Sequence, residues 1–423
     1  MPAPATSTIA DAALAGAGED RIAWADAQMP VLRLIRERLA AQRPLEGVTV
    51  AACLHVTAET ANLVRSLVAG GARTALCAAN PLSTQDDVAA ALAEVHGAEV
   101  HAVRGEDAGA YAAHVRTVLE RAPDITLDDG ADLISAVHLL APDHAATMLG
   151  GMEETPTGIL RVHQMAAEGR LRCPVLAVND CWAERTLNDR FGTGQSVLDG
   201  ILRATNLLLA GRAVVVLGYG WTGRGVALRA RGAGASVVVC EVDPMRALEA
   251  RMEGFEVLPS LVAAERGDVF ITVTGSTAVL REEHFARMKD GSVLANAGHF
   301  DVEIDLAALR RVAVGGVRQV LPLVEAHDLG DGRRLHLLAQ GRVVNLAAAL
   351  GHPAEVMDVS FATQALCAEA LVRHGRELGA GVHPVPEAID REVARLKLAA
   401  LGVELDEPTP EQTEYRSSWS QGR

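Results

Sequence analysis

The stretch AVNDCWAERTLNDRF, residues 177–191, passes from apolar residues into a polar cluster. Glu184, Asn188 and Asp189 lie within this cluster, and no lysine accompanies them. Carboxylates and amides at such spacing either cap a helix or exchange protons with a substrate in an active site. The segment alone leaves both interpretations open, so the surrounding chain has to decide between them.

A glycine-rich turn follows the apolar run 213–217 and carries the pattern Gly218-x-Gly220-x-x-Gly223. A second apolar run ends at Glu241, about 20 residues further on, which is the usual place of the acidic residue in dinucleotide-binding proteins. The glycines let backbone N–H groups approach a pyrophosphate at a helix N-terminus. Since a carboxylate at Glu241 would repel a 2′-phosphate, the pattern predicts NAD rather than NADP.

Polar residues follow most of the predicted strands, at the sheet edge where parallel α/β proteins bind their ligands. An isolated Asn or Asp there is more often part of a turn, whereas a histidine directly after an apolar strand is less ordinary. A buried structural histidine remains the alternative for each. The strand ends carry His55, Asn80, Asp129 and Asn179 in the first series, and Gly218, Glu241, Thr274 and His299 in the second.

Two series of alternating strands and helices must position these residues. The first spans about 47–179 and the second begins near 211. This alternation predicts an α/β fold with two doubly wound, Rossmann-like parallel-sheet domains. An amphipathic helix is expected over 24–40, and long helices are expected over 360–378 and 387–401.

Composition excludes several classes of protein. The 423 residues are 49% hydrophobic and carry a net charge of −15, which argues against a nucleic-acid or anionic-membrane surface. No apolar run is long enough to span a bilayer, and no signal peptide is recognised. The six cysteines form no CxxC pair, so we expect a cytoplasmic protein without a disulfide framework or a metal site.

Seven segments together resemble the S-adenosyl-L-homocysteine hydrolase family, in its branch with a short C-terminal tail. The resemblance runs from about residue 20 to 415 and implies a discontinuous substrate domain (20–185 and 353–400), an NAD domain (186–352), a tail (401–423) and a homotetramer. The segments are HVTAET (55–60), NPLSTQD (80–86), LDDGADL (127–133), GMEETPTG (151–158), GYGWTGRG (218–225), NAGHFDVEID (296–305) and GRVVNLAAALGHPAEVM (341–357).

The resemblance also implies a redox-neutral reaction on an adenine nucleoside. NAD oxidises the 3′-hydroxyl, the C4′ proton becomes acidic, and the 5′ substituent leaves by elimination. Water then adds to the alkene and the ketone is reduced again. The roles implied for single residues are adenine contacts for Thr57 and Glu59, closure over the base for His352, substrate contacts for Met357 and Phe361, proton transfer for His55 and Asp129, ribose binding for Glu154, proximity to the 3′-hydroxyl for His299, and NAD contacts for Thr155, Thr157, Thr274 and Asn345.

The opening segment departs from the family pattern, which is close to VND-x-x-x-K-x-x-x-D-N. Here the lysine is Glu184, the aspartate is Asn188 and the asparagine is Asp189, so the formal charge changes from zero to minus two. In the family the lysine and aspartate act at the 3′-hydroxyl. A carboxylate beside the nicotinamide would favour NAD⁺ over NADH by about 2–4 kcal/mol, which favours the closing reduction. Reduction before water adds would release a 4′,5′-unsaturated nucleoside.

Three functions follow from this departure. The leading hypothesis is a nucleoside dehydratase or lyase of specialised metabolism, of the nucleoside-antibiotic type. The second is an ordinary hydrolase that releases adenosine and homocysteine, and the third is a non-catalytic NAD-binding regulator. The presence of His55, Asp129, Glu154 and His299 argues against the regulator. The leaving group, and the choice between adenine and hypoxanthine, stay open.

Overall fold

The computed structural model describes residues 7–418, and this part of the chain forms two sheets. Residues 419–423 of the predicted tail lie outside the described range. The strands are β1 (Thr49–Leu54), β2 (Arg73–Ala78), β3 (Glu99–His101), β4 (Ile125–Asp128), β5 (Gly150–Glu153), β6 (Pro174–Ala177), β7 (Ala213–Leu217), β8 (Ser236–Cys240), β9 (Glu256–Val257), β10 (Val269–Thr272), β11 (Val293–Asn296), β12 (Gly316–Leu321), β13 (Val324–Asp328), β14 (Arg334–Leu338) and β15 (Gly381–Pro384).

The α-helices lie between and around these strands. No helix of the described range is long and apolar enough to cross a membrane. They are α1 (Ala15–Ala27), α2 (Pro30–Gln42), α3 (Ala58–Ala69), α4 (Asp86–Glu94), α5 (Ala108–Leu119), α6 (Asp132–Leu140), α7 (Pro142–Ala145), α8 (Pro156–Ala167), α9 (Gly194–Thr205), α10 (Trp221–Gly232), α11 (Pro244–Met252), α12 (Ser260–Ala264), α13 (Glu282–Phe285), α14 (Leu306–Val312), α15 (Val344–Ala347), α16 (Ala354–His374), α17 (Glu387–Ala400) and α18 (Pro410–Ser417).

The first sheet has the order β15-β6-β5-β4-β1-β2-β3, and all of its pairs are parallel. Strands β1, β4, β5 and β6 are buried along their whole length, as expected for a sheet covered by helices on both faces. Edge strand β15 comes from a distant part of the chain and pairs beside β6. It was not predicted, because its residues are only partly buried and form no apolar run.

The second sheet has the order β12-β13-β14-β11-β10-β7-β8-β9. Its centre is parallel, which confirms the predicted fold class, but β12, β13 and β14 run antiparallel to one another. The sequence analysis missed this extension, since it expected parallel strands throughout. The division into two sheets agrees with the expected domains, whose bounds themselves stay predictions.

The predicted helix over 24–40 is wrong in one respect, because two helices occupy this region. Helix α1 ends at Ala27 and α2 begins at Pro30. Proline lacks the N–H of a helical hydrogen bond and disfavours helical backbone in the preceding residue. Met29 accordingly leaves the helical region, with φ −118° and ψ 60°. The apolar periodicity continued across the break and concealed it.

The polar segment of residues 184–193 connects the two sheets and has the wide winding of a π-helix, a form found mostly at functional sites. It packs against α10, the helix that follows the glycine-rich turn. A Cβ on Gly225 would lie only 1.8 Å from the carbonyl oxygen of Arg190, so only glycine permits this contact. This close contact holds residues 184–193 directly beside the predicted NAD site.

Asp358 joins three helices at the base of the first sheet. Its fully buried carboxylate accepts hydrogen bonds from the backbone N–H groups of Leu32 (2.8 Å) and Val31 (3.3 Å) at the start of α2. The ammonium group of Lys397 on α17 lies 2.8 Å away. One side chain of α16 thus caps α2 and anchors α17.

We predict that Asp358→Ala lowers the free energy of unfolding by about 3 kcal/mol, because it leaves the partly buried ammonium of Lys397 and two backbone N–H groups without their acceptor. Urea denaturation followed by circular dichroism measures the loss. Asp199→Asn removes an exposed carboxylate and serves as the control. Equal midpoints for the two variants would contradict the anchoring role.

Candidate active site

One cavity of about 1510 Å³ lies between the carboxyl ends of the two sheets. The first sheet contributes the residues after β1, β4, β5 and β6, and the second those after β7, β8, β10 and β11. The predicted site residues that line it are His55, Thr57, Glu59, Asp129, Glu154, Thr155, Thr157, Asn188, Asp189, Gly218, Gly220, Glu241, Thr274, His299, Asn345, His352, Met357 and Phe361. Their individual roles stay predictions.

Two predicted residues do not line the cavity. Glu184 is completely buried behind it. Gly223 packs the turn against its helix, since a Cβ there would lie 2.1 Å from the carbonyl oxygen of Gly218. Asn80, at the end of β2, is likewise absent from the lining, and its side-chain oxygen accepts a hydrogen bond from the N–H of Leu82 in its own turn. The turn interpretation therefore fits Asn80.

His55 and Asp129 form an ion pair in the cavity wall. The Nε2 atom of His55 lies 3.1 Å from a carboxylate oxygen of Asp129, and His299 approaches the other oxygen at 3.8 Å. Burial opposes both charges, but the charge and hydrogen bond of His55 lower the pKa of Asp129 to about 2, and those of Asp129 raise the pKa of His55. This imidazole is thus a strengthened base held by an ionised carboxylate.

Ser83 orients His55 from the other side. Its hydroxyl lies 2.7 Å from Nδ1 of His55, so both ring nitrogens have fixed partners. The sequence analysis did not single out Ser83, although it lies in the quoted segment NPLSTQD. A serine in a loop gives no signal of its own, and only the approach of the loop to β1 brings it to the histidine.

Glu154 is buried in the same cavity and has no cation within hydrogen-bond distance among the described residues. Burial raises the pKa of its carboxyl to about 8, and the negative charge of Asp129 contributes to the rise. The side-chain amide of Gln364 donates a hydrogen bond to it at 2.9 Å. Gln364 was also missed, because it lies on α16, far away in sequence. Glu154 therefore holds a proton at neutral pH.

The opening segment lies at the cavity and does not cap its own helix. The N-cap residue Ala183 has no side-chain acceptor of its own, and the carboxylate of Asp390 on α17 accepts hydrogen bonds from the N–H groups of Trp182 (2.7 Å) and Ala183 (3.2 Å) instead. The amide of Asn188 donates to the carboxyl of Glu184 at 2.6 Å. Of the two interpretations that the sequence left open, the structure supports the active site.

The formal charge of minus two on this segment counts both of its carboxyls, Glu184 and Asp189, as ionised. Burial raises the pKa of Glu184 well above its usual range, with a contribution from the charge of Glu154. Burial also raises the pKa of Asp189 to about 7. The formal count ignored desolvation, which disfavours the ionised form of both carboxyls. No lysine of the described range lines the cavity, and the guanidinium of Arg185 is paired with Asp180 at 2.5 Å.

His352, Glu59 and Met357 line the part of the cavity where we expect the base. Burial lowers the pKa of His352 to about 4, and its Nε2 atom lies 3.0 Å from the hydroxyl of Thr193. Burial raises the pKa of Glu59, while the hydroxyl of Thr57 lowers it in part. Met357 on α16 contributes an apolar wall. This combination suits a flat base with a few polar edges.

The glycine-rich turn has the geometry that a dinucleotide needs. Gly218 adopts φ +108°, and the N–H of Tyr219 donates to Glu241 at 2.7 Å. A Cβ on Gly220 would meet no atom closer than 3.8 Å, so the turn leaves open space on its cavity side. Among the described residues, the buried side-chain oxygen of Asn345 has no hydrogen-bond partner and is free for a carboxamide. These residues fit NAD.

Glu303 organises the neighbouring loop of the second sheet. Its carboxylate accepts from the N–H and hydroxyl of Thr274 (2.9 and 2.8 Å) and from the N–H of Gly275 (2.8 Å). The residue lies within the quoted segment NAGHFDVEID but was not identified, since its partners come from the loop after β10. Glu303 thus positions a predicted NAD contact without lining the cavity.

Comparison with known proteins agrees with this geometry. Residues 6–148 match the family described as S-adenosyl-L-homocysteine hydrolase, and residues 189–351 match its NAD binding domain. Adenosylhomocysteinase of Aquifex aeolicus is 57% identical over 414 residues, covering 98% of this chain and 99% of the relative. S-inosyl-L-homocysteine hydrolase of Methanopyrus kandleri is 53% identical over 414 residues, covering 98% and 97%.

These matches extend over both sheets and over the cavity between them. The match to the NAD binding domain includes the glycine-rich turn and Glu241, so NAD is the cofactor of this protein. The identity to relatives over nearly the whole chain is far above the level at which a family is in doubt. The chain is an enzyme that belongs to the S-adenosyl-L-homocysteine hydrolase family.

Proposed function

We propose that this enzyme is a nucleoside dehydratase or lyase, which eliminates the 5′ substituent of an adenine nucleoside and releases the 4′,5′-unsaturated product. The observation that carries the proposal is the raised pKa of three carboxyls, Glu154 and Asp189 in the cavity wall and Glu184 buried behind it, at a cavity that no lysine of residues 7–418 lines. The family resemblance implies a lysine at position 184, beside the 3′-hydroxyl.

The first half of the reaction is the same for a dehydratase and a hydrolase. The glycine-rich turn and Glu241 would hold NAD, which would supply reversible hydride transfer at C3′ of the ribose, so the whole reaction would need no external oxidant. We assign removal of the C4′ proton to His55 in its neutral form, which the Asp129 carboxylate makes more basic. The same imidazolium then protonates the departing oxygen or sulfur at C5′.

The two functions separate at the next step. A hydrolase adds water to the alkene, whereas a dehydratase restores the 3′-hydroxyl first. Restoring that hydroxyl needs a proton at the 3′ oxygen, and we expect a carboxyl of raised pKa, Glu154 or Asp189, to supply it in its protonated form. With a 5′-hydroxyl as leaving group, one nucleoside yields one unsaturated nucleoside and one water, so all atoms are accounted for.

Hydrolysis of S-adenosylhomocysteine is the second candidate function. The name of the Aquifex aeolicus relative, adenosylhomocysteinase, and the His55–Asp129 pair favour it. The name of the Methanopyrus kandleri relative, an S-inosyl-L-homocysteine hydrolase, leaves hypoxanthine open as the base. A non-catalytic regulator remains the third hypothesis. The expected homotetramer and cytoplasmic location stay predictions.

The first test incubates the NAD-loaded enzyme with adenosine and, separately, with S-adenosylhomocysteine. We expect adenosine to give a product lighter by one water, identified by mass spectrometry, because the 3′-hydroxyl is restored before water adds. Conversion of S-adenosylhomocysteine to adenosine and homocysteine alone would establish the hydrolase. A regulator would give neither product and no near-ultraviolet absorbance of reduced nicotinamide with either nucleoside.

The second test restores the family pattern with the triple variant Glu184→Lys, Asn188→Asp, Asp189→Asn. We expect it to release more adenosine and less unsaturated nucleoside from S-adenosylhomocysteine, because it restores the lysine and aspartate that the family resemblance implies at the 3′-hydroxyl. The single variant Glu184→Lys is the control. Its buried ammonium lies beside the neutral amide of Asn188 instead of a carboxylate, so we expect no gain in hydrolysis. An unchanged product ratio in the triple variant would refute the assigned cause.

The third test follows the products with pH. Both carboxyls have raised pKa values, so they are protonated below about pH 7 and lose their protons as the pH rises through about 7 for Asp189 and about 8 for Glu154. We therefore expect the ratio of unsaturated nucleoside to adenosine, formed from S-adenosylhomocysteine, to fall across this interval. A ratio that rises or stays constant would remove these carboxyls from the proton supply.

A further inference from the structure

We infer that Asp189 is the catalytic residue that takes and returns the proton of the ribose 3′-hydroxyl, and that Glu184 only positions its neighbour Asn188. This inference deepens the proposed function, on which it rests for the identity of the product. The site of proton transfer is needed by a hydrolase as well, so the two proposals can fail separately.

The location of Asp189 carries the first part of the argument. The substrate groups of the first sheet and the glycine-rich turn of the second sheet face one cavity, and the reacting carbon must lie where the two meet. The segment 184–193 crosses this junction and packs on α10 directly after the turn. Asp189 lines the cavity from this segment.

The partners of the other acidic groups carry the second part. Asp129 is paired with His55, Asp180 with Arg185, and Glu154 accepts the amide of Gln364. Glu184 has no exposed surface and does not reach the cavity.

Asp189 is held more weakly than these groups. Within the described residues its carboxylate accepts a single long hydrogen bond of 3.4 Å, from the amide of Asn179. A weakly held carboxylate facing the cavity can exchange this bond for one from a ligand hydroxyl at little cost.

The groups around Asp189 leave burial as the main influence on the pKa of its carboxyl. Asn179 donates to it from the end of β6, Arg185 and Asp180 form a neutral pair beside it, and Glu154 and Glu184 are carboxyls that hold protons. Burial is the dominant influence and raises the pKa of Asp189 to about 7. A group that titrates near the working pH is suited both to accept and to donate a proton.

The proton is conserved over the cycle. When the 3′-hydroxyl becomes a ketone, its proton moves to a carboxylate oxygen of Asp189. When the hydroxyl is restored, the same carboxyl donates a proton to the 3′ oxygen and is ionised again. Glu184 takes no part in the transfer, and its protonated carboxyl holds the amide of Asn188 in the cavity wall.

The experiment compares Asp189→Asn with Glu184→Gln in the NAD-loaded enzyme, with adenosine as the probe. For Asp189→Asn we expect kcat to fall by about 100- to 10,000-fold, as for the loss of a general acid–base group. The change in KM should remain below about tenfold. The inflection of kcat near pH 7 should disappear, and reduced nicotinamide should form slowly in single-turnover absorbance measurements. Asp189→Glu should recover part of the rate.

Glu184→Gln should keep the inflection and lose less than about tenfold in kcat, because glutamine replaces a carboxyl that is already neutral. Asp199→Asn, on the exposed face of α9, controls for the loss of one carboxylate. NAD content and melting temperature verify that each variant is folded.

Retention of kcat within about threefold in Asp189→Asn, or of its inflection near pH 7, would overturn the assignment. If the wild-type enzyme releases only adenosine from S-adenosylhomocysteine, the dehydratase proposal fails while the same comparison still tests Asp189 on that substrate.

Discussion

Desolvation of carboxyl groups is the interaction on which the chemistry of this enzyme depends. Asp129, Glu154, Glu184 and Asp189 are withdrawn from water at or behind the cavity between the sheets, close enough for their charges to affect one another. Water no longer stabilises their ionised forms, so each must find a cation or keep its proton. In the described part of the chain only Asp129 has such a partner, His55, and its pKa falls while the pKa values of the other three rise.

The lowered pKa of Asp129 and the raised pKa values of the other carboxyls suit two kinds of proton transfer in one cavity. His55, to which we assign removal of a proton from carbon, gains basicity from the ionised carboxylate of Asp129. The carboxyl of Glu154, with a pKa of about 8, is mostly protonated at neutral pH, and that of Asp189, with a pKa of about 7, is about half protonated. A single site can therefore remove a proton at one position of the sugar and supply one at another, provided that the groups remain dry.

Residues 184, 188 and 189 lie in one short segment that is anchored by other residues. The segment 184–193 is held from outside the cavity, by Asp390 at its start and by the contact between Arg190 and Gly225 further along. Neither contact depends on the side chains at 184, 188 and 189. Substitutions at these positions can therefore change the protonation of the site without removing either contact.

The sequence by itself determined the α/β class, the glycine-rich turn with Glu241, and the strand-end residues His55, Asp129 and His299, because apolar periodicity and short motifs are local signals. Only the tertiary structure supplied β15, the antiparallel extension, and the partners Ser83, Gln364 and Glu303, which come from distant parts of the chain. The tertiary structure also determines the protonation of the carboxyls in the segment 184–193. The count of ionisable residues gave minus two, but protonation depends on burial and on neighbouring charges, and both are properties of the folded chain.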